Sequence, residues 1–443
     1  MTSHQLPEPG AARHSGEAPS SAAAHLPVES TLDSCIKCNI CVTVCPVSAV
    51  TDAFPGPKYE GPQAGRFRHG AQPAPDASVD YCSGCRACNM ACPTGVKIAE
   101  INARARARMV DQGLVGRRKK LRNNMLARPA TMARVGAPVG PFVNALFGNR
   151  AARWVAHRAF GIHPDAPLPM YAGERFSEWF VTRERSGAGS AGKVAYFTGC
   201  SAEYYEPRVT RATVRVLERL GFEVVIPEQG CCGLPLLSNG EFDAARKYHR
   251  SNVSNLVALA RRGVPIVGSS TSCTLTLKEE APELLDQFDE DDLLVAAGTY
   301  DIHEFLVGLA GDGRFPTDLR PVPKRLLYHP PCQYKAHRLG LPALEMMDLV
   351  PGLHIVESGA TCCGVAGTYG YKEEKYQIAM DVGRPLFARV AEVGGPVAIC
   401  DSETCRWQIE HGTGVPAIHP IEIMAYALGL DPEGPLADAL SAT

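Results

Sequence analysis

In the second half of the chain, short apolar runs alternate with longer amphipathic stretches. Val194–Phe197, Val224–Ile226 and Pro265–Val267 read as strands, while Val209, Ala212, Thr213, Val216, Leu217 and Leu220 recur at helical spacing until Gly221 stops them. Alternation of this kind predicts an α/β layer with a largely parallel sheet. The pattern then repeats. Tyr196 precedes Cys200 by four residues and Tyr328 precedes Cys332 by four; Gly221 and Gly352 each lie ten before the first cysteine of a Cys-Cys-Gly triplet, Cys231-Cys232-Gly233 and Cys362-Cys363-Gly364. Each repeat closes on a last cysteine, Cys273 or Cys405. A duplicated domain of about 110 residues, spanning 193–310 and 324–430, is the economical explanation. Because each cysteine follows a strand, all should gather beyond the carboxyl ends of the sheets, where such folds place ligands.

The first half is organised differently. Residues 1–30 show no period and read as a disordered leader. Residues 31–128 carry two tight cysteine runs, separated by a Pro/Gly-rich stretch from Pro55 to Pro75 expected to lack regular structure. Lys97 to Arg122 reads as a helical, strongly basic segment with a local net charge of +7. A connector over 129–192 follows, apolar near Pro141–Phe147 and ending in the small-residue joint Ser186–Gly192. That joint contains Gly187-x-Gly189-x-x-Gly192, yet it precedes a strand instead of following one, so a flexible linker fits better than a dinucleotide site. In the first repeat, Glu279 to Asp292 holds eight carboxylates and reads as a solvated loop. The fold class expected is therefore an α+β, two-cluster ferredoxin-like and partly helical N-terminal domain, followed by a duplicated α/β Cys-Cys-Gly domain.

Composition narrows the function. The chain has 443 residues, 45% of them hydrophobic and 21% charged, which excludes both a disordered chain and an integral membrane protein. The formal net charge of −2 argues against a whole-surface attraction to nucleic acid. Seventeen cysteines without a secretory signal favour metal ligands over a disulfide framework.

The two cysteine runs share one spacing: Cys35-x2-Cys38-x2-Cys41-x3-Cys45-Pro46 and Cys82-x2-Cys85-x2-Cys88-x3-Cys92-Pro93. This is the bacterial ferredoxin signature, in which three thiolates wrap one face of a cubane and the fourth cysteine ligates the other cluster. Two [4Fe-4S] clusters are expected, one on Cys35, Cys38, Cys41 and Cys92, the other on Cys82, Cys85, Cys88 and Cys45. Zinc competes, but its sites favour cysteine pairs separated by a longer loop. The Cys-Cys-Gly cysteines Cys200, Cys231, Cys232, Cys273, Cys332, Cys362, Cys363 and Cys405 are candidates for further iron–sulfur ligation or redox work; the plainer alternative is that small cysteines simply pack there.

Two ferredoxin motifs followed by two Cys-Cys-Gly domains resemble the electron-transfer subunits related to heterodisulfide reductase. Cys35-Ile-Lys-Cys38, Phe54-Pro-Gly-Pro-Lys58, Tyr81-Cys-Ser-Gly-Cys85, Gly364-Val-Ala-Gly-Thr-Tyr-Gly370 and Ser402-Glu-Thr-Cys-Arg-Trp-Gln-Ile-Glu410 resemble, more narrowly, the C subunits of anaerobic glycerol-3-phosphate dehydrogenases. That resemblance implies a protein that does not oxidise substrate alone but passes electrons from flavoprotein dehydrogenase subunits to membrane quinone of the menaquinone type, held peripherally on the cytoplasmic face of the cell membrane. The basic helix and the apolar connector are the expected membrane contacts. The chain departs from the five-cysteine pattern of heterodisulfide-reductase-like domains, with Ser270 and Ser402 where the first cysteine of the last pair would stand; Cys400 lies close but out of spacing. The alternatives are an iron–sulfur component of a glycolate or lactate oxidase, and a thiol–disulfide reductase, against which the two serines argue.

Overall fold

A computed structural model describes residues 27–68, 77–185 and 189–441. Most of the expected leader, and residues 186–188 of the joint, lie outside the described residues. Two four-stranded parallel sheets organise the second half. The first is built from β1 (Lys193–Phe197), β2 (Glu223–Val225), β3 (Ile266–Gly268) and β4 (Thr299–Asp301), in the order β2-β1-β3-β4. The second repeats this with β5 (Arg325–Tyr328), β6 (His354–Glu357), β7 (Ala398–Ile399) and β8 (Ala417–Ile418), in the order β6-β5-β7-β8. The outer strands β4 and β8 are not among the strands read from the sequence. The helix read from periodicity forms as Pro207–Arg219 and buries Val209, Thr213, Val216 and Leu217. Val194, Tyr196, Val267, Leu326, Tyr328, Ile399 and Ile418 belong to one shared core, so the two repeats are fused rather than strung apart.

In a 2-1-3-4 order the chain reverses direction between β1 and β3, opening a crevice at the strand ends. Cys200 and Cys273 follow these two strands; Cys332 and Cys405 follow β5 and β7.

The N-terminal region is mainly helical: α1 (Ile98–Asp111), α2 (Arg117–Leu126), α3 (Pro129–Gly136), α4 (Gly140–Gly148) and α5 (Arg150–Phe160). Three expectations need correcting. The basic segment is two helices, broken around Gly113 (φ +71°) and Gly116. The Pro/Gly-rich stretch is partly ordered, since residues 57–65 are helical and wound as a π-helix over Tyr59–Gln63. Pro62 removes one backbone donor there. Gly61 permits close packing on α1, where a Cβ would come within 2.6 Å of Ile98 Cγ2.

The acidic insert is not a solvated loop. It forms the helices Ala281–Leu285 and Glu290–Ala297 and supplies counter-charges to the basic helices. Lys97 pairs with Glu283 at 2.7 Å and Arg104 with Asp286 at 2.6 Å, while Arg86 reaches Glu279 at 3.8 Å and Glu283 at 3.9 Å. Arg122 is buried against Glu374 at 2.7 Å. The cations expected to face a membrane are thus largely consumed in holding the N-terminal region against the two repeats.

Candidate metal centres

The two ferredoxin-type loops have matching backbones. Lys37 and Gly84 (φ 62° and 70°) occupy the same place in each run, and Asn39 and Arg86 (φ 69° and 61°) start the short helices Ile40–Thr43 and Ala87–Ala91. These left-handed residues curl each run so that its first three cysteines face inward. Cys35, Cys38, Cys41 and Cys92 line one small pocket. Burial, followed by the proximity of Cys35, Cys92 and Cys38, raises the Cys41 thiol above its ordinary pKa. Cys45 lies instead beside Cys82. Burial is the largest effect on Cys85 and Cys88 as well; both thiols are raised, with Cys45 and Cys82 among the neighbours that repel their charge. The fourth cysteine of each run is therefore grouped with the other run.

Donors to sulfur accompany both groups. The Val96 N–H donates to Cys92 Sγ at 3.3 Å and Asn102 Nδ2 to Cys82 Sγ at 3.5 Å. Among the described residues, no three His, Cys, Asp or Glu side chains converge on a point that a single ion could fill. A lone zinc needs its thiolates on about 2.3 Å bonds. The wider thiol sets, free of disulfides, fit a multi-iron body instead.

The eight Cys-Cys-Gly cysteines and the adjacent Cys82 and Cys85 line one cavity of about 610 Å³. The triplets turn at Gly233 and Gly364, both with φ of +93°. At Gly364 a Cβ would fall 1.9 Å from Ala379 O, so only glycine allows the turn to pack on the Tyr376–Val393 helix. Cys200 Sγ lies 3.9 Å from Cys231 Sγ, and Cys363 Sγ 2.9 Å from Cys405 Sγ. Hydrogen bonds from Cys200 and Cys232 hold Cys231 well below its ordinary pKa, and those from Cys332 and Cys363 do the same for Cys362. The first cysteine of each triplet thus has neighbouring thiols placed to favour its deprotonated form, the form a metal takes. Cys85 is within electrostatic range of Cys362 and Cys332, so the N-terminal thiols adjoin the second repeat.

The residues carrying the ferredoxin and Cys-Cys-Gly patterns match two family models. A 4Fe-4S dicluster domain covers residues 31–96, and a cysteine-rich domain matches twice, at 194–278 and 326–410. The C subunit of the anaerobic glycerol-3-phosphate dehydrogenase of Escherichia coli K12 is 34% identical over 405 residues, which is 90% of this chain and 99% of that protein. The chain belongs to the family of anaerobic glycerol-3-phosphate dehydrogenase C subunits. The D subunit of the dihydromethanophenazine:CoB–CoM heterodisulfide reductase of Methanosarcina barkeri is 24% identical, over 90% of this chain and 94% of its own. Lactate utilization protein A of Halalkalibacterium halodurans is 31% identical over 41% of this chain and 73% of its own. Like others of the glycerol-3-phosphate dehydrogenase C-subunit family, this is an iron–sulfur protein of electron-transferring oxidoreductases.

The Ser402–Glu410 motif that carries the family resemblance has a structural meaning. Arg406 pairs with the buried Glu206 of the first repeat, and Trp407 Nε1 donates to the same carboxylate at 2.7 Å. The helix carrying Cys405 is thereby fastened across the two repeats. Sequence reasoning gives no role to Cys400, Glu403, Tyr171 or Tyr205. Cys400, out of spacing in the sequence, is fully buried and hydrogen-bonds to Cys405. Glu403 lines the cavity and accepts from Ser270 Oγ at 3.2 Å, joining the serine of one repeat to the loop of the other. Burial pushes the Glu403 carboxyl above its ordinary pKa. Tyr171, Tyr205 and Trp407 form an aromatic row on the cavity wall, with ring centroids 5.2 Å and 6.1 Å apart. Of that row the sequence marks only Trp407, as part of the motif.

Proposed function

We propose that this protein is the iron–sulfur component that receives electrons from a flavoprotein dehydrogenase acting on glycerol 3-phosphate and delivers them to a membrane quinone. Cys35, Cys38, Cys41 and Cys92 would hold one [4Fe-4S] cluster and Cys82, Cys85, Cys88 and Cys45 the other; Cys200, Cys231, Cys232, Cys273 and Cys332, Cys362, Cys363, Cys405 would provide additional iron–sulfur ligation in the two repeats. Such clusters, when bound, accept and release single electrons and so connect two-electron flavin chemistry to a quinone. The observation that carries the reading is the continuous series of thiol groups. It begins at the exposed Cys38, where a partner can approach, passes Cys85, and ends at the cavity shared by the repeats. Around it the chain supplies N–H donors to sulfur and ties the N-terminal region to the two repeats through ion pairs.

In the anaerobically purified complex, glycerol 3-phosphate should bring up the low-temperature paramagnetic signals of reduced clusters, and lactate and glycolate should not. Reduction by lactate or glycolate instead would move the protein to the alternative donor. Iron-free protein would sink the reading altogether.

Membrane attachment on the cytoplasmic face belongs to the same proposal. No helix of the described residues is long and apolar enough to cross a membrane, so contact would be peripheral. With the α1 cations paired internally, the surface for it is α3–α5, where Val135, Phe142 and Trp154 are 70%, 66% and 60% exposed. Fully burying a large apolar side chain is worth roughly 1.5–3 kcal/mol. Phe142→Ser with Trp154→Ser should therefore lower partition onto anionic vesicles at least tenfold in a sedimentation assay, while neutralising Arg104 should not. Unchanged partition in the double variant would place the contact elsewhere.

A further inference from the structure

The cavity extends well beyond the thiols. From Cys200, Cys231, Cys362 and Cys405 it runs past Tyr171 and Tyr205 to the inner faces of α3, α4 and α5, where Met132, Val143, Phe147, Ala156 and Phe160 line it. These helices are unusual within the fold. Across residues 129–160 only Ala133 and Gly140 are buried, so side chains facing the cavity, such as Val143, Phe147 and Phe160, remain half-exposed for want of anything against them. Val139, Phe142, Trp154 and Val155 on the same helices lie outside the cavity lining and are also exposed. Large apolar side chains left open both inside the cavity and outside it are out of place against water and suit an apolar ligand on one side and a lipid surface on the other.

Charge supports the same geometry. Between Asp111 and Asp165 the chain has no acidic residue and ten Lys or Arg. Arg118, Lys119, Arg122 and Arg128 pair with Glu373, Glu374 and Glu241. Arg117, Lys120, Arg134, Arg150 and Arg158 are exposed and make no ion pair among the described residues. They lie on and beside these helices as a basic fringe that anionic headgroups would attract.

We propose that this cavity is the binding site of a long-chain isoprenoid quinone, which enters from the lipid between α3, α4 and α5. Its ring would lie along the Tyr171–Tyr205–Trp407 row beside the thiols, and its isoprenoid tail would run out over Val143, Phe147 and Phe160. The assignment rests on the electron-transfer reading above and deepens it by naming the acceptor's site. A soluble, polar acceptor would need neither an apolar throat nor an apolar outer face. An isoprenoid quinone needs both, together with a polar inner end, and Tyr205, Gln333, Thr404 and Ser201 provide one there.

The test uses full-length protein purified anaerobically in mild detergent with its iron intact, and a naphthoquinone carrying a short isoprenyl tail as the probe. Equilibrium dialysis should show saturable binding at one site. Ala156→Trp, which fills the throat, should weaken it at least tenfold. Val181→Ser, an exposed position on the Phe176–Thr182 helix away from the cavity lining, should leave it within twofold. Iron content and reduced paramagnetic spectra should match across the three proteins; if Ala156→Trp loses iron, Val143→Phe replaces it. Wild-type affinity in the throat variant would overturn the proposal, as would native mass spectrometry finding a phospholipid retained in place of the probe. Substrate-dependent reduction of the iron–sulfur signals, read on the same samples, separates the two levels. If that reduction persists while the probe ignores the throat, the site is wrong and electron transfer stands. If that reduction is absent, the underlying reading falls.

Discussion

Replacing Cys45 by serine should erase or shift the paramagnetic signal of the cluster held by Cys82, Cys85 and Cys88, while the signal belonging to Cys35, Cys38 and Cys41 persists. Cys92→Ser should do the reverse. The expectation follows from placement: Cys92 shares a pocket with Cys35, Cys38 and Cys41, whereas Cys45 neighbours Cys82 and Cys85. Serine is a poor donor to iron compared with thiolate, so loss of one ligand should cost most or all of one cluster, about four irons per chain. The exchange also staples the two runs together, since each cluster would draw ligands from both. Spectra of Cys45→Ser, compared with Cys38→Ser and Cys85→Ser, decide the point. If Cys45→Ser alters the same signal as Cys38→Ser, each run closes its own cluster.

Arg86→Met should destabilise the protein by about 3–5 kcal/mol, the usual penalty for stripping a partner from a buried ion network. Arg86 is 6% exposed and donates toward Glu100 at 3.0 Å, with Glu279 and Glu283 behind it. It also holds a left-handed φ of 61° that a non-glycine residue adopts only at a cost; the surrounding carboxylates offset that cost. Glu280 gives the effect a pH signature. Burial raises its carboxyl pKa and Arg86 opposes the rise. Without the arginine, the folded-state pKa moves further above the unfolded value. A raised carboxyl penalises the folded state once pH exceeds the unfolded pKa, and the penalty vanishes below it. The deficit of Arg86→Met should therefore be greatest near pH 8 and shrink toward pH 5 in urea unfolding. A loss below 1 kcal/mol, or one independent of pH, would mean that this network is solvated and behaves like surface pairs.

Both experiments probe features that stand in different relation to the sequence. The ferredoxin spacing and the Cys-Cys-Gly turns are legible because they are local. Three thiols within seven residues can face one body only if the loop between them curls, and a residue with φ of +93° packed against a helix backbone must be glycine. The strand–helix alternation is legible for the same reason, since burying one face of each element imposes its period on neighbouring residues. The parallel sheets and the gathering of cysteines at their carboxyl ends follow from that alternation.

The fate of the charges is settled only by tertiary structure. Arg104 and Asp286, or Arg122 and Glu374, are far apart in the chain, and nothing in either neighbourhood announces the other. A basic helix looks the same whether its counter-ions are lipid headgroups or distant carboxylates. The acidic insert reads as a solvated loop for that reason, and the helices that do stay open, α3–α5, carry a weaker local signal than the segment with the larger charge. The acid-free stretch from 112 to 164 is present in the sequence but acquires meaning only once its helices are seen to leave large apolar side chains exposed. Cys400 and Glu403 likewise depend on register across repeats. The two residues belong to the site because β7 ends beside β5 and the second repeat presses on the first, a long-range packing event that one-dimensional spacing does not encode.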